Sequence, residues 1–138
     1  METGVYSYLI SKTSITSLVS TRIYPLIAPE GSAWPFIIYQ RIGSSHEHNM
    51  SGSSGLVTAT VQIDAYAEAY SSAKSIGAAI RNVLDGYRGL MGSTFVSRCH
   101  LGDERDLLDV TDLADEFGGF RWSGDFAIAY HESIPTFS

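Results

Sequence analysis

The stretch LVTATVQIDAYAEAYSSAKSIGAAIRNVL, from Leu56 to Leu84, changes its period halfway and contains no proline. Val57, Ala59, Val61, Ile63 and Ala65 alternate with Thr58, Thr60, Gln62, Asp64 and Tyr66, which puts the apolar set on one side of an extended chain. From about Ser71, the residues Ala73, Ile76, Ile80, Val83 and Leu84 recur at the spacing that lines one stripe of an α-helix, and Gly86 stands where a helix would stop. A one-sided strand followed by a one-sided helix predicts a sheet with a helix packed on one face.

Upstream, Val5, Tyr6, Leu9 and Ile10 form a short helical stripe with Thr3 as its N-cap, and Ser14 would cap a further turn through Ile15, Leu18 and Val19. Arg22-Ile23-Tyr24 reads as a short extended piece stopped by Pro25. The prolines at 25, 29 and 35 with Gly31 predict a stiff loop. Phe36 to Ile42 begins a strand that is apolar on both faces, as a strand covered on both sides would be. Residues 43–55 are rich in Gly and Ser and read as the loop of a long hairpin, with a mobile tip at 44–55. After the helix comes a glycine-punctuated loop over 85–92, then a strand from Phe95 to Leu101. In the last strand Phe120, Trp122, Phe126, Ile128 and Tyr130 share one face, and this bulky face would fill the space left by Ala59 and Ala65 on a neighbouring strand. The fold class is α+β: an antiparallel sheet of about four strands with a long hairpin, a main helix on one face and a short N-terminal helix.

At 138 residues, 44% apolar and 17% charged, the chain has the size and composition of one globular domain spanning 1–138. No apolar run is long enough to span a membrane. The N-terminus carries no basic residue before Lys12, which argues against a secretory signal and for a cytoplasmic origin. The lone Cys99 fits a reducing compartment. A formal charge of −6, with nine scattered basic residues, disfavours tight binding to nucleic acid. Seven of the fifteen acids fall within an acidic connector at 103–119, where repulsion favours an extended or exposed chain; Leu107, Leu108, Val110, Leu113 and Phe117 would also allow a short amphipathic helix.

No catalytic constellation emerges. His46-Glu47-His48 lacks a third metal ligand nearby. The acids after Asp103 lack the glycine-punctuated pattern of a calcium loop. Cys99 and His100 are adjacent in a strand and therefore point to opposite faces, which leaves one buried thiol and one exposed imidazole. No glycine loop leads into a helix in the way that phosphate binding requires. The expectation is no catalytic residue, no metal and no cofactor.

Thr21-Arg22-Ile23-Tyr24-Pro25, Ala28-Pro29-Glu30-Gly31, Pro35 to Ile42, and Val61 to Ala67 running into Ala73 to Leu84 together resemble the tail-completion family of tailed bacteriophages, also called tail-terminator or tail-to-head joining proteins. The likeness covers Val5 to Leu84 closely and the last strand in pattern only. It implies a structural virion protein of the tail or neck, assembled in the host cytoplasm. That protein would be a homo-oligomeric ring, commonly of six copies, between a tail-tube protein and a head connector or stopper, with DNA passing through the channel without specific binding. Two segments that a compact monomer does not need supply the candidate interface residues: Arg41, His46, His48, Met50 and Ser53 along the hairpin, and Arg105, Asp109 and Asp112 in the connector. Two alternatives stay open. One is another neck or baseplate adaptor of the same particle. The other is a small-molecule-binding α+β domain with Tyr39, Tyr66, His100 and Asp64 lining a pocket.

Overall fold

A computed structural model describes residues 2–29, 31, 33–49, 52–92, 94–108 and 120–131, giving the backbone alone for 2–3, 45–49, 52–55, 106–108 and 131. Helices α1 (Glu2–Ile10) and α2 (Thr13–Val19) precede strands β1 (Ile23–Pro25), β2 (Phe36–Asn49) and β3 (Gly52–Ala67). Helix α3 (Tyr70–Leu84) leads to β4 (Gly89–Met91), β5 (Thr94–Leu108) and β6 (Phe120–His131). The six strands form one sheet in the order β1-β2-β3-β6-β5-β4. The class is α+β as expected, but the sheet has six strands where about four were expected, and β1 runs parallel to β2.

The two additional strands are the shortest. The piece ending at Pro25 pairs Ile23 with Ile37 and Tyr24 with Ile38, and part of the glycine-punctuated loop becomes β4, with Leu90 opposite Phe95. The long strands also outrun their expected ends. Ser44 pairs with Ala59, Ser45 with Thr58 and Asn49 with Gly52, so most of the expected hairpin loop is ladder and β3 begins four residues before Leu56. Likewise 103–108 of the acidic connector belongs to β5, where Asp103 faces Asp125 and Arg105 faces Ser123; residues 109–119 lie outside the described residues. At the N-terminus, α1 begins at Glu2, so Thr3 lies within the helix instead of capping it, and the residue preceding α2 is Lys12, not Ser14.

The decisive stretch behaves as its periodicity requires. Val57, Ala59, Val61, Ile63 and Ala65 are all buried, and α3 lays Ala73, Ile76, Ile80 and Leu84 across β3, β5 and β6. The bulky face of β6 pairs with the small residues of β3, Ile128 with Ala59 and Trp122 with Ala65. Trp122 needs two glycines: a Cβ on Gly77 of α3 or on Gly124 would come within 2.5 Å of its ring. Its indole Nε1 donates to Glu104 Oε1 at 3.2 Å, and Glu104 Oε2 accepts from Arg81 of α3 at 3.1 Å, so one carboxylate ties sheet to helix. Helix α3 ends at Leu84 with Asp85 as its extended C-cap, after which Gly86 takes a φ of +86° that favours glycine, and its N–H donates to the Cys99 carbonyl at 2.7 Å. Val5, Leu9, Ile15 and Val19 complete the same core from α1 and α2.

Candidate interaction surfaces

The opposite face of the sheet carries Gln62, Asp64 and Tyr66 of β3 beside Arg121, Ser123 and Asp125 of β6, and among the described residues no helix packs on it. These side chains bury one another. Asp64 is 5% exposed, and Gln62 Nε2 donates both to Asp64 Oδ1 and to Ser123 Oγ, each at 3.2 Å. The Arg121 guanidinium stands 3.9 Å from Asp64 Oδ2, donates to the Tyr66 hydroxyl at 3.1 Å and lies 5.7 Å from the centre of the Tyr66 ring. A buried carboxylate persists only when it is paired and hydrogen-bonded, and here it is both. Beyond Tyr66, Phe36 stacks on it at 4.9 Å, with Trp34 and Tyr24 at the edges of Phe36. The expected double coverage of β2 is therefore real, but aromatic side chains provide it where a second helix would in a layered fold. Toward β5, Arg105 contacts both oxygens of Asp125, at 3.2 and 3.4 Å.

The expected interface residues do not form one patch. Arg41 is exposed on β2 next to a bulge between Arg41 and Gly43. His46, His48 and Ser53 lie on the paired arms of the hairpin, His46 opposite Val57 and His48 opposite Ser53. Arg105, at the level of Asp64 in the sheet, stands eleven residues of strand away from Ser53, about 35 Å at the usual rise. Met50, Asp109 and Asp112 lie outside the described residues.

The expected pocket is not assembled. Tyr39 pairs with Ile63 and packs on Tyr6 on the helix side, whereas Asp64 and Tyr66 face the other way and His100 is exposed on β5 opposite Ala127. Two clefts among the described residues use other side chains: one lies between α2 and α3 around Leu18, Pro35 and Ser72, another around Tyr8, Lys12 and Tyr87. Cys99 is buried while His100 is exposed, and burial, then the charge of Asp85, pushes the thiol up to about 12. Burial, then Tyr87 and Cys99, pushes Tyr8 up to about 12, and its hydroxyl donates to the Val83 carbonyl. Among the described residues no group of three His, Cys, Asp or Glu could hold a metal ion, and no described helix is long and apolar enough to cross a membrane.

Sequence reasoning passed over the exposed apolar residues at the edges of the sheet, Leu26 and Ile27 beside β1 and Leu90 on β4. The signal available for the first pair was two large aliphatic residues framed by Pro25 and Pro29, where a solvated loop has no use for them.

A family model described as tail completion protein gp17 matches residues 3–128. Among solved structures, a chain from the virion of a native gene transfer agent particle superposes with a TM-score of 0.69 over 93% of this chain and 92% of its own length, at 16% sequence identity. That likeness shows the fold. No curated protein matches the chain at a significant level. The family match spans both the covered and the open face of the sheet, and the chain belongs to the tail-completion family, structural proteins of the virion tail.

Proposed function

We propose that this chain closes the head-proximal end of the tail tube as a ring, with six copies the expected number, and joins the tube to the head connector. The match to the tail-completion family over residues 3–128 carries the reading. The fold is compatible with it. One face of the sheet holds the core, while the other face and the long β2–β3 hairpin leave surfaces for a neighbour, the tube and the connector. The paired arms of the hairpin, residues 44–49 and 52–55, reach toward such a neighbour, and the candidate contacts Arg41, His46, His48, Met50, Ser53, Arg105, Asp109 and Asp112 are distributed over more than one of these interfaces. The chain acts without catalysis and without a cofactor. Six copies of a chain carrying −6 bring about −36 to the junction, a field that repels phosphates and lets DNA slide through. Particles made without this chain should accumulate as unjoined heads and tails, counted by electron microscopy of a lysate. Joined, DNA-filled particles in normal yield would refute the reading, and heads joined to tails with a defect at the distal end would favour a baseplate adaptor.

A further inference from the structure

The described residues include seven exposed large hydrophobic side chains, and five of them fall at the two edges of the sheet. At the β1 edge, Leu26 is 69% and Ile27 77% exposed; at the β4 edge, Leu90 is 60% and Phe95 45% exposed. Edge strands ordinarily carry charge or proline, because bare apolar edges invite association.

Both edges are built and held in place. Leu26 has a φ of +65°, a left-handed conformation that a bulky L-residue adopts only at a cost in strain. Its N–H donates to the Tyr39 carbonyl at 3.0 Å, which pins it against β2, and the N–H of Ile27 donates to the Pro25 carbonyl at 2.7 Å, which closes a tight turn around it. Ile42, 52% exposed, is the unpaired residue of the bulge between Arg41 and Gly43, and a bulge re-aims a side chain. On the other edge Leu90 and Phe95 are direct cross-strand partners. The Tyr87 hydroxyl donates to the Leu90 carbonyl at 2.6 Å, and Arg88 lies 5.7 Å from the Phe95 ring centre. The remaining two residues lie on helices, away from both edges: Leu18 on α2, and Tyr70 of α3, which packs edge-on against Phe120.

We infer that the aliphatic edge of one copy, Leu26, Ile27 and Ile42, docks against the Leu90–Phe95 edge of a second copy of this chain. A head-to-tail contact between identical subunits requires two unlike patches on each, and these are two. Foreign partners would have to supply two different apolar surfaces to cover both edges, whereas a neighbouring copy on each side covers both with a single kind of contact. The five side chains offer about 300 Å² of apolar surface, at the roughly 60–120 Å² per side chain that transfer energies imply. A stable interface buries about 1,600 Å² in total. The contact is too small to hold two free subunits together and becomes effective when repeated around a ring seated on a template. This inference rests on the ring reading above.

The test places Ile27→Cys and Leu90→Cys in one chain, assembles it into particles and treats them with a bis-maleimide. Cys99 is fully buried with its thiol pushed up to about 12 and stays silent. A ladder of cross-linked multimers from the double variant, with monomers from each single variant, is expected. Particles that keep a ring of this chain but give no ladder, or single variants that cross-link to themselves, would overturn the edge contact and leave the ring standing. Wild-type particles without a ring would overturn the ring reading itself. Leu26→Asn, which tolerates the left-handed conformation, should keep wild-type thermal unfolding while entering particles at least tenfold less often; wild-type incorporation would count against the contact.

Discussion

On the helix-covered side of β3 and β6, Val61, Ile63, Phe126 and Ile128 are fully buried beneath Ile76 and Ile80, while on the other side the same two strands carry Gln62, Asp64, Arg121, Ser123 and Asp125, linked by hydrogen bonds and ion pairs. One side is held by apolar burial, which is tolerant of geometry and intolerant of charge. The other is held by directional contacts between side chains that also face outward. A subunit whose stability rests on one face keeps the other available for neighbours, and this division suits a protein whose work is assembly.

Substitutions that carry charge across this division should show it most strongly. Ile63→Asp would bury an unpaired carboxylate at a 0% exposed site and cost several kcal/mol, about the 5 kcal/mol of a modest folding margin. Thr60→Lys, three residues earlier on the open face, should cost about 1 kcal/mol or less. Thermal unfolding of the pair measures the contrast, and equal losses would break it.

A smaller effect tests the packing beneath α3. Gly77→Ala raises intrinsic helix propensity by about 1 kcal/mol, but its methyl would stand 2.5 Å from the Trp122 ring, which Gly124 hems in from the sheet side. Overpacking of this kind costs roughly 1–3 kcal/mol, so a net loss of about 1 kcal/mol is expected in urea unfolding. A gain in stability would mean that Trp122 can move aside.

On the open face the expected effects are smaller still. Arg105→Ala removes an ion pair whose side chains are 40% and 21% exposed, worth between about 0 and 1 kcal/mol and weakened by salt. A loss that persists unchanged in 1 M salt would indicate that this face is more tightly coupled to the fold than its solvent exposure implies.

The covered face was legible in the sequence because its signals are local. The alternation from Val57 to Ala65, the helical stripe from Ala73 to Leu84 and the bulky face from Phe120 to Tyr130 each lie within one element, and the small-to-large match of Ala59 with Ile128 followed from volume alone. What escaped depends on partners distant in sequence. Residues 44–55 have the composition of a loop, and residues 44–49 and 52–55 become strand because Ala59, Thr58 and Val57 are there to pair with, and because bulges absorb the register shifts. The charges at 103–105 read as repulsive until the fold brings Arg81 and Trp122 to Glu104 and Asp125 to Arg105. The edge strands were legible only in part for the same reason: the piece ending at Pro25 read as extended but its partner β2 did not show, and Gly89–Met91, set among glycines, carries no periodicity of its own.

The claim that this chain works as a ring at the head-to-tail junction is tested most directly by a density map of the assembled particle. The account predicts a closed ring of identical copies of this chain, expected to number six, between tail tube and connector. A single copy of the chain, or its density outside the junction, would contradict the account.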